Sequence, residues 1–341
     1  WFEAENMVDE AIEHALAAGD FARVAGLLER FGWQLLNQGF VRKMEGWMQS
    51  IPAEWRTHSP RSSLGFAWMQ LLRGDFPRVQ HYLGQTLAVL EQKPDAQLRA
   101  ECLALQSNLF DSQGKVDAAL ETASQSLQLA APENWRVRAL AQLGLGSGYR
   151  QAGNFEQAVA ALLAAIQASR QTDELVTEML AVSHLTLMSL QFGRLRFAAE
   201  TATRSVDWME RTNAAPPPIV GAVLGSLGRI HFEWNELGQA HEMLERGIRL
   251  ATFTGHAASI VYGKVSLAQV FQASGDFDSA ERALAEAQDL FRLGAPDWAR
   301  PDLLARQVSL LLAQGKPIAA EAILCQSGLT PADEATHQTD V

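Results

Sequence analysis

Two motifs in the sequence come close to known catalytic or nucleotide-binding patterns. Residues 144–148 read Gly-Leu-Gly-Ser-Gly and imitate a dinucleotide fingerprint, but they lie within a helical pattern and follow no strand, which that fingerprint requires. We interpret these glycines as sites of close helix packing. His241 and Glu242 begin like a zinc-protease motif, but Glu245 stands where the second histidine ligand would be. Neither motif predicts a cofactor or a metal site.

The other candidate nucleophiles and bases are isolated along the chain. His184 and His231 fall in the first helices of predicted repeat units, where we expect partly buried packing or capping residues rather than catalytic bases. Cys102 and Cys325 are far apart and have no metal-ligand spacing, so we predict buried free thiols in a reducing compartment. No Ser/His/Asp or Cys/His set can be assembled, and we therefore expect a chain that is not an enzyme.

A phosphate-binding loop is also missing from the sequence. Gly114-Lys115 and Gly263-Lys264 lack the earlier glycine and the following hydroxyl residue of the Gly-x4-Gly-Lys-Ser/Thr pattern. We predict no catalytic, cofactor-binding or metal-binding residue, and hence no cofactor in this segment.

Composition restricts the classes of partner. The 341 residues are 48% apolar and carry a net charge of −11, which opposes binding to a phosphate backbone. No apolar run approaches the roughly 20 residues of a membrane span. We expect a cytoplasmic protein without direct nucleic-acid or membrane contacts. Because the chain begins at Trp1 without a methionine, we expect it to be a piece of a longer protein.

A repeated turn indicates which elements position the side chains. A glycine or asparagine followed by a short step to an apolar residue recurs about every 40 residues, after a longer first interval of 55, and such a period is typical of stacked helical units. Five residues after each turn stands valine or alanine. The turn residues are Gly19, Gly74, Gly114, Gly153, Gly193, Asn235, Gly275 and Gly315, and the small residues are Val24, Val79, Ala119, Ala158, Ala198, Ala240, Ala280 and Ala320.

The physics of one unit predicts the fold class. Glycine or asparagine can adopt the left-handed conformation that ends a helix, and the next helix then packs back on the first. The recurring alanine lies where two helices cross closely, and small residues precede the turns at matching places: Ala67, Gly146, Gly228 and Ala268. In the fourth unit the predicted apolar stripe comprises Phe155, Ala158, Val159, Leu162, Leu163 and Ile166. We predict an all-α, right-handed superhelical solenoid of antiparallel helix pairs, similar to tetratricopeptide repeats (TPR).

The repeat pattern divides the chain into three parts. We expect atypical opening helices over residues 1–60, a TPR-like superhelix over 61–327 and a disordered tail over 328–341. Residues 214–218 read Ala-Ala-Pro-Pro-Pro and predict a stiff inter-helix loop.

The inner groove of such a superhelix is the predicted binding surface. Residues three, six and ten places before each turn are expected to face inward, and their polar and aromatic groups suit a peptide or a sugar stacked on ring faces. The candidate groove residues are Trp68, Asn108, Asp111, Ser147, Arg150, Arg229, Phe232, Gln269, Gln272 and Ser309, with Tyr262 nearby.

The opening of the chain resembles a known family. Residues 1–21, 35–39 (Leu-Leu-Asn-Gln-Gly) and 47–52 (Trp-Met-Gln-Ser-Ile-Pro) resemble a segment of the MalT-like large ATP-binding regulators of the LuxR class. In that family these motifs follow an NTPase module and a winged-helix segment, begin a TPR-like sensor domain and precede a LuxR-type helix-turn-helix. The resemblance implies an inducer-sensing, oligomer-forming arm of a transcriptional activator, whose ATP would be bound by an NTPase module outside this segment.

Three functions remain at this point: an enzyme, which the missing catalytic set disfavours, and two binding functions. The favoured one is the effector-sensing and protein-interaction domain of such a regulator, which would bind a small-molecule inducer or a protein partner and self-associate through the full-length protein. The alternative is a free-standing TPR adaptor that binds a partner's peptide. Flanking P-loop and helix-turn-helix segments in the full gene would decide for the regulator.

Overall fold

The computed structural model describes residues 2, 5, 7–37, 40–56, 59–73, 75–172, 174–211, 216, 219–254, 257–292 and 300–327. Within these ranges the backbone forms α-helices joined by short turns, and it contains no strand. Among the same residues, no helix combines the length and apolar character that crossing a membrane requires. The prediction of an all-α repeat fold is confirmed.

The chain divides into two compact units. The first spans Trp1–His184 with Asn213–Pro217. Its helices are α1 (Val8–Ala17), α2 (Phe21–Asn37), α3 (Val41–Ser50), α4 (Ala53–Arg56), α5 (Pro60–Arg73), α6 (Phe76–Gln92), α7 (Ala96–Ser112), α8 (Val116–Leu129), α9 (Trp135–Gln151) and α10 (Phe155–Ser169), and α11 (Leu175–Gln191) begins here.

The second unit spans Leu185–Thr212 with Pro218–Val341. After the end of α11 it contains α12 (Leu195–Arg211), α13 (Val220–Glu233), α14 (Leu237–Thr254), α15 (Ala257–Ala273), α16 (Phe277–Arg292), α17 (Arg300–Ala313) and α18 (Pro317–Ser327). Of residues 214–218 only Pro216 is described, and the predicted tail 328–341 lies outside the described residues.

The predicted turns end the first helix of each pair. Their residues adopt positive φ angles, which side chains with a Cβ rarely do. Asn235 (φ 60°) is the one non-glycine residue with positive φ in the described part of the chain. The glycines are Gly19 (69°), Gly114 (69°), Gly153 (74°), Gly193 (69°), Gly275 (79°) and Gly315 (72°). Gly74 lies outside the described residues.

An aspartate after the turn starts several of the second helices. The Asp20 carboxylate accepts a hydrogen bond from the backbone N–H of Arg23 (3.1 Å), and that of Asp276 accepts one from Ser279 (3.0 Å). These bonds satisfy backbone donors that have no partner inside the helix. Hydrogen bonds from the Ser279 side chain and backbone N–H hold the pKa of Asp276 below its ordinary value. A Gly-Asp pair therefore ends one helix and begins the next.

Small residues let the paired helices approach closely, as predicted. Ala158, Ala198 and Ala280 are fully buried. A Cβ added to Gly146 would come within 2.6 Å of the Leu162 side chain, and one added to Gly228 would come equally close to the Leu244 side chain. Larger residues at these positions would force the helices apart.

The glycines of residues 144–148 serve the same purpose. A Cβ on Gly144 would collide with the Ser107 hydroxyl, and one on Gly148 would lie 2.8 Å from Leu120. These residues lie inside α9, so their interpretation as packing glycines is confirmed.

Two expectations about burial were wrong. Leu163, placed on the apolar stripe of α10, is 38% exposed. At about 100° per residue Leu163 lies at one edge of that stripe, and the buried face extends the other way to Ala161, Ala165 and Ala168.

The second error concerns the two thiols. Cys102 is buried, and burial raises its pKa to about 12. Cys325 is exposed. It lies on α18, where Ala320 is the one buried residue among those whose side chains are described.

Candidate functional site

A cavity of about 90 Å³ lies among helices α2, α3, α5, α7 and α9 of the first unit. Its apolar wall is formed by aromatic, methionine and leucine side chains, and its polar wall by four charged groups and a hydroxyl. The apolar residues include Leu28, Trp33, Met44, Met48, Leu64, Phe66, Trp68, Met69 and Leu98, and the polar ones are Glu29, Arg61, Ser62, Glu101 and Arg136.

Two tryptophans define the aromatic part of the cavity. The Trp33 and Trp68 rings meet edge to face with centroids 5.5 Å apart. The Arg136 guanidinium lies over the Trp33 ring, 5.3 Å from its centroid. The indole Nε1 of Trp68 is buried and has no hydrogen-bond partner among the described residues. A buried N–H without an acceptor costs free energy, and a ligand that supplies an acceptor would remove this cost.

Arg136 connects the cavity to two buried carboxylates. Its Nη2 donates to Glu101 Oε2 at 2.8 Å, and its Nε lies 3.8 Å from Glu174 Oε1. Burial raises the pKa of Glu174 to about 7; the nearby Glu101 adds to this shift, and Arg136 opposes it. Glu174 therefore titrates near neutral pH. It does so beside the Arg136 guanidinium, which lies over the Trp33 ring.

A third carboxylate borders the opposite side of the cavity. Glu29, one helical turn before Trp33 on α2, accepts hydrogen bonds from the hydroxyls of Ser59 and Ser62. Residues four apart share one face of a helix, so the spacing on α2 presents a carboxylate and an indole to the same space.

Of the predicted groove residues in the first unit, Trp68 lines the cavity and the others form contacts elsewhere. The Asn108 amide donates to the Ala104 carbonyl at 2.8 Å within its own helix. Asp111 accepts from the Ser147 hydroxyl at 2.8 Å and from Gln151 Nε2 at 2.7 Å. Because Ser147 is almost completely buried, its role here is to hold the Asp111 carboxylate.

The two singled-out histidines fit a structural role. Burial, together with the charge of Arg150, lowers the pKa of His184 to about 3, so its imidazole is neutral at physiological pH. His231 Nδ1 lies 2.6 Å from Glu236 Oε2 across the α13–α14 turn, and its ring meets Trp234 edge to face. Each histidine is partly buried, as the sequence predicts.

In the second unit the predicted groove residues form side-chain contacts between α13, α15 and α17. Arg229 Nη1 donates to the Tyr262 hydroxyl at 3.2 Å. Gln272 Nε2 donates to the Ser309 hydroxyl at 3.4 Å. Phe232 is partly buried against a core that includes Leu244.

Sequence reasoning missed several residues that these sites depend on. Trp33 precedes the regular repeats, and Arg136 lies at the beginning of α9, far from the positions counted back from the turn. Glu101 and Glu174 were equally outside the register. Besides the register position of Trp68, the spacing of Glu29 and Trp33 on α2 was a signal for the cavity.

The described residues offer binding groups rather than a metal centre. Among them, no three histidine, cysteine, aspartate or glutamate side chains lie close enough together to hold a metal ion. Stacking surfaces, an unpartnered indole N–H and paired charges can bind and orient a ligand.

Comparison with known proteins places these features in a family. A family model for the MalT-like TPR region matches residues 100–340, more than half of the chain. The transcriptional regulator MalT of Yersinia enterocolitica is 23% identical over 284 residues, which cover 82% of this chain and 31% of that protein. MalT of Yersinia pestis is 25% identical over 275 residues. The chain thus spans about a third of the length of these relatives.

Solved structures share the fold at low sequence identity. A Rap protein complexed with Competence and Sporulation Factor matches 96% of the chain with a TM-score of 0.62 and 14% identity. A signal transduction ATPase with a TPR sensor from Pyrococcus horikoshii matches 94% of the chain with a TM-score of 0.61, and the chain covers 49% of it. The family match over residues 100–340 shows that the chain belongs to the MalT-like TPR family, and its fold is that of a helical repeat domain.

Proposed function

We propose that this chain is the effector-sensing domain of a MalT-like, ATP-dependent transcriptional activator, and that a small-molecule effector binds in the Trp33–Trp68 cavity. The relatives are named as transcriptional regulators of the helix-turn-helix type, and the chain matches about a third of their length. In this proposal ATP binding and DNA binding belong to other parts of the regulator, and the segment itself has no catalytic activity. The observation that carries the proposal is the cavity.

The chemistry of the cavity suits a compact, partly apolar ligand. The Trp33 and Trp68 rings offer flat surfaces, and the unpartnered Trp68 Nε1 can donate to a carbonyl or hydroxyl oxygen. Glu29 and Glu101 offer acceptors for ligand hydroxyl or amine groups. Such a mixture of apolar walls with a few placed polar groups is typical of small-molecule sites.

The residues predicted from the repeat register extend this proposal beyond the cavity. Asn108, Asp111, Ser147, Arg150, Arg229, Phe232, Tyr262, Gln269 and Gln272 stay proposed as groove positions for an effector or a peptide. Arg150 and Arg229 are the first to test, because a guanidinium both stacks and donates several hydrogen bonds.

The test begins with a thermal-shift screen of metabolites, since a ligand at a hundred times its dissociation constant adds about 2.7 kcal/mol of stability. Any ligand found is then titrated by calorimetry into wild type and Trp68→Phe, which keeps an aromatic ring but removes the N–H. Losing one hydrogen bond should weaken binding by about 0.5–1.5 kcal/mol.

The matched control is Trp135→Phe, because Trp135 is 40% exposed and does not line the cavity. It should leave the affinity unchanged. Equal affinities for wild type, Trp68→Phe and a cavity-blocking Gly65→Leu variant would show that the effector binds elsewhere. Gly65 lines the cavity, and an added Cβ there meets no atom within 4 Å.

The alternative is a free-standing TPR adaptor that grips a partner's peptide. It is favoured by structural neighbours with this fold, such as the Rap complex and NprR in complex with its cognate peptide, the latter with a TM-score of 0.54. The full-length gene discriminates the two proposals: flanking P-loop and helix-turn-helix segments support the regulator, and their absence supports the adaptor.

A further inference from the structure

Two arginines from different helices of the second unit hydrogen-bond to side chains of the same intervening helix, near the predicted groove positions. Arg229 on α13 donates to the Tyr262 hydroxyl, and its guanidinium lies 5.4 Å from the centroid of the Tyr262 ring. On α17, Arg306 donates to the side-chain oxygen of Gln269 through Nη1 (2.7 Å) and Nη2 (3.0 Å), with the Gln269 amide oriented so that its oxygen faces Arg306. Both acceptors, Tyr262 and Gln269, stand on the intervening helix α15.

Burial and neighbouring charges shift the pKa values of both guanidiniums. The pKa of Arg306 is lowered chiefly by burial; Asp302 opposes this shift, and the charge of Arg229 adds to it. The pKa of Arg229 is raised, chiefly by Tyr262 and against the effect of burial. Both side chains are partly buried.

Neutral groups hold both arginines in place. Their hydrogen-bond partners among the described residues are a phenol and an amide, while Asp302 and Glu233 act on them only as charges at longer range. A simple structural clamp would pair each guanidinium directly with a carboxylate, as Arg170 pairs with Glu178 at 2.6 Å in the first unit. Among the described residues, no directly paired carboxylate neutralises Arg229 or Arg306. Their positive charges can therefore attract an anionic ligand.

We propose that Arg229 and Arg306, oriented by Tyr262 and Gln269, form a binding site for an oxyanion, either a carboxylate or a phosphate group of a ligand. Planar guanidinium groups match both anions in geometry and charge. An oxyanion between them would relieve the repulsion of two partly buried positive charges. This site shares no residue with the proposed effector cavity, so the cavity and this site can each fail alone. It deepens the groove proposal, because it assigns a ligand chemistry to three of the groove positions, Arg229, Tyr262 and Gln269.

The experiment titrates the whole chain with inorganic phosphate and, separately, with acetate, against chloride at equal ionic strength. The readout is the thermal unfolding midpoint together with calorimetry. We expect one or both anions to raise the midpoint of wild type, and the anion that does so identifies a phosphate or a carboxylate as the preferred group. Arg306→Gln and Arg229→Lys should each weaken that binding about tenfold or more, as loss of a charge-assisted hydrogen bond does.

The control variant is Arg249→Gln, since Arg249 is exposed on α14 and contacts only Glu245 at 3.4 Å among the described residues. It should bind the anion as wild type does. Circular dichroism of each variant establishes that it folds. Arg229→Lys keeps the positive charge, so this variant tests the guanidinium geometry without removing the charge from the helix contacts. No response to either anion, or an equal response of wild type and all folded variants, would overturn the proposal.

Discussion

At the scale of single residues, Glu174 shows how the environment shifts a titration, and its partner Arg136 lines the cavity. Glu174 is nearly inaccessible to solvent, and its charge is only partly compensated by Arg136, at 3.8 Å, and by the Thr177 hydroxyl, which donates to it at 3.3 Å. A buried carboxylate with incomplete pairing favours the protonated form. The Arg136 guanidinium also lies over the Trp33 ring. Protonation of Glu174 therefore removes a negative charge beside a guanidinium that lines the cavity.

This environment predicts a pH dependence of stability. The folded pKa of Glu174 is raised from 4.5 to about 7, so between these values the folded state binds more protons than the unfolded state. The free energy of unfolding should therefore fall as the pH rises through this window, by up to about 3 kcal/mol for this group. Glu174→Gln should remove most of the loss, measured by denaturant unfolding at pH 5 and pH 8.

Glu156→Gln on α10 is the control, because Glu156 is exposed. It should keep the pH dependence of wild type. An equal pH dependence of the free energy of unfolding in wild type and in Glu174→Gln would contradict the raised pKa.

At the scale of elements, each helix pair depends on a few backbone positions. The turn residue must adopt a left-handed conformation, and the small residue near each crossing must leave room for its neighbour, as Gly146 does for Leu162. Both requirements are local to one pair. This is why the same residue types recur with the period of the repeat.

Substitutions of two glycines by alanine should change stability in opposite directions. At Gly153, with φ of 74°, Gly153→Ala should destabilise by about 1–2 kcal/mol, the cost of a left-handed conformation with a Cβ. Gly84 lies inside α6 with no atom within 4 Å of an added Cβ, so Gly84→Ala should stabilise by about 0.5–1 kcal/mol. Urea unfolding of both variants measures the difference, and shifts of the same sign would contradict the assigned turn.

At the scale of the whole molecule, similar helix pairs recur in both compact units of the chain. In repeat proteins of this kind, the contacts between neighbouring helices supply the stability. The prediction at this scale is a far-ultraviolet circular dichroism spectrum dominated by helix, for the protein in solution. A substantial sheet component would contradict the repeat fold.

The turns could be predicted residue by residue, whereas the cavity could not. A left-handed helix end restricts the residue type at one position, so Gly153 and Asn235 were visible in the sequence. The cavity unites residues from Glu29 to Arg136 on five helices, and no local pattern records which of them meet. Trp68 was found because it happens to stand in the repeat register.

The sequence by itself determined the fold class, the turn positions, the small residues at helix crossings and the resemblance to the regulator family, because each depends on local conformation or on a fixed period. Only the tertiary structure decided which side chains share a site. The Trp33–Trp68 cavity and the Arg229–Arg306 pair depend on how neighbouring helices cross and on which rotamers bridge them. Such contacts join residues far apart in the chain, and residue spacing does not encode them.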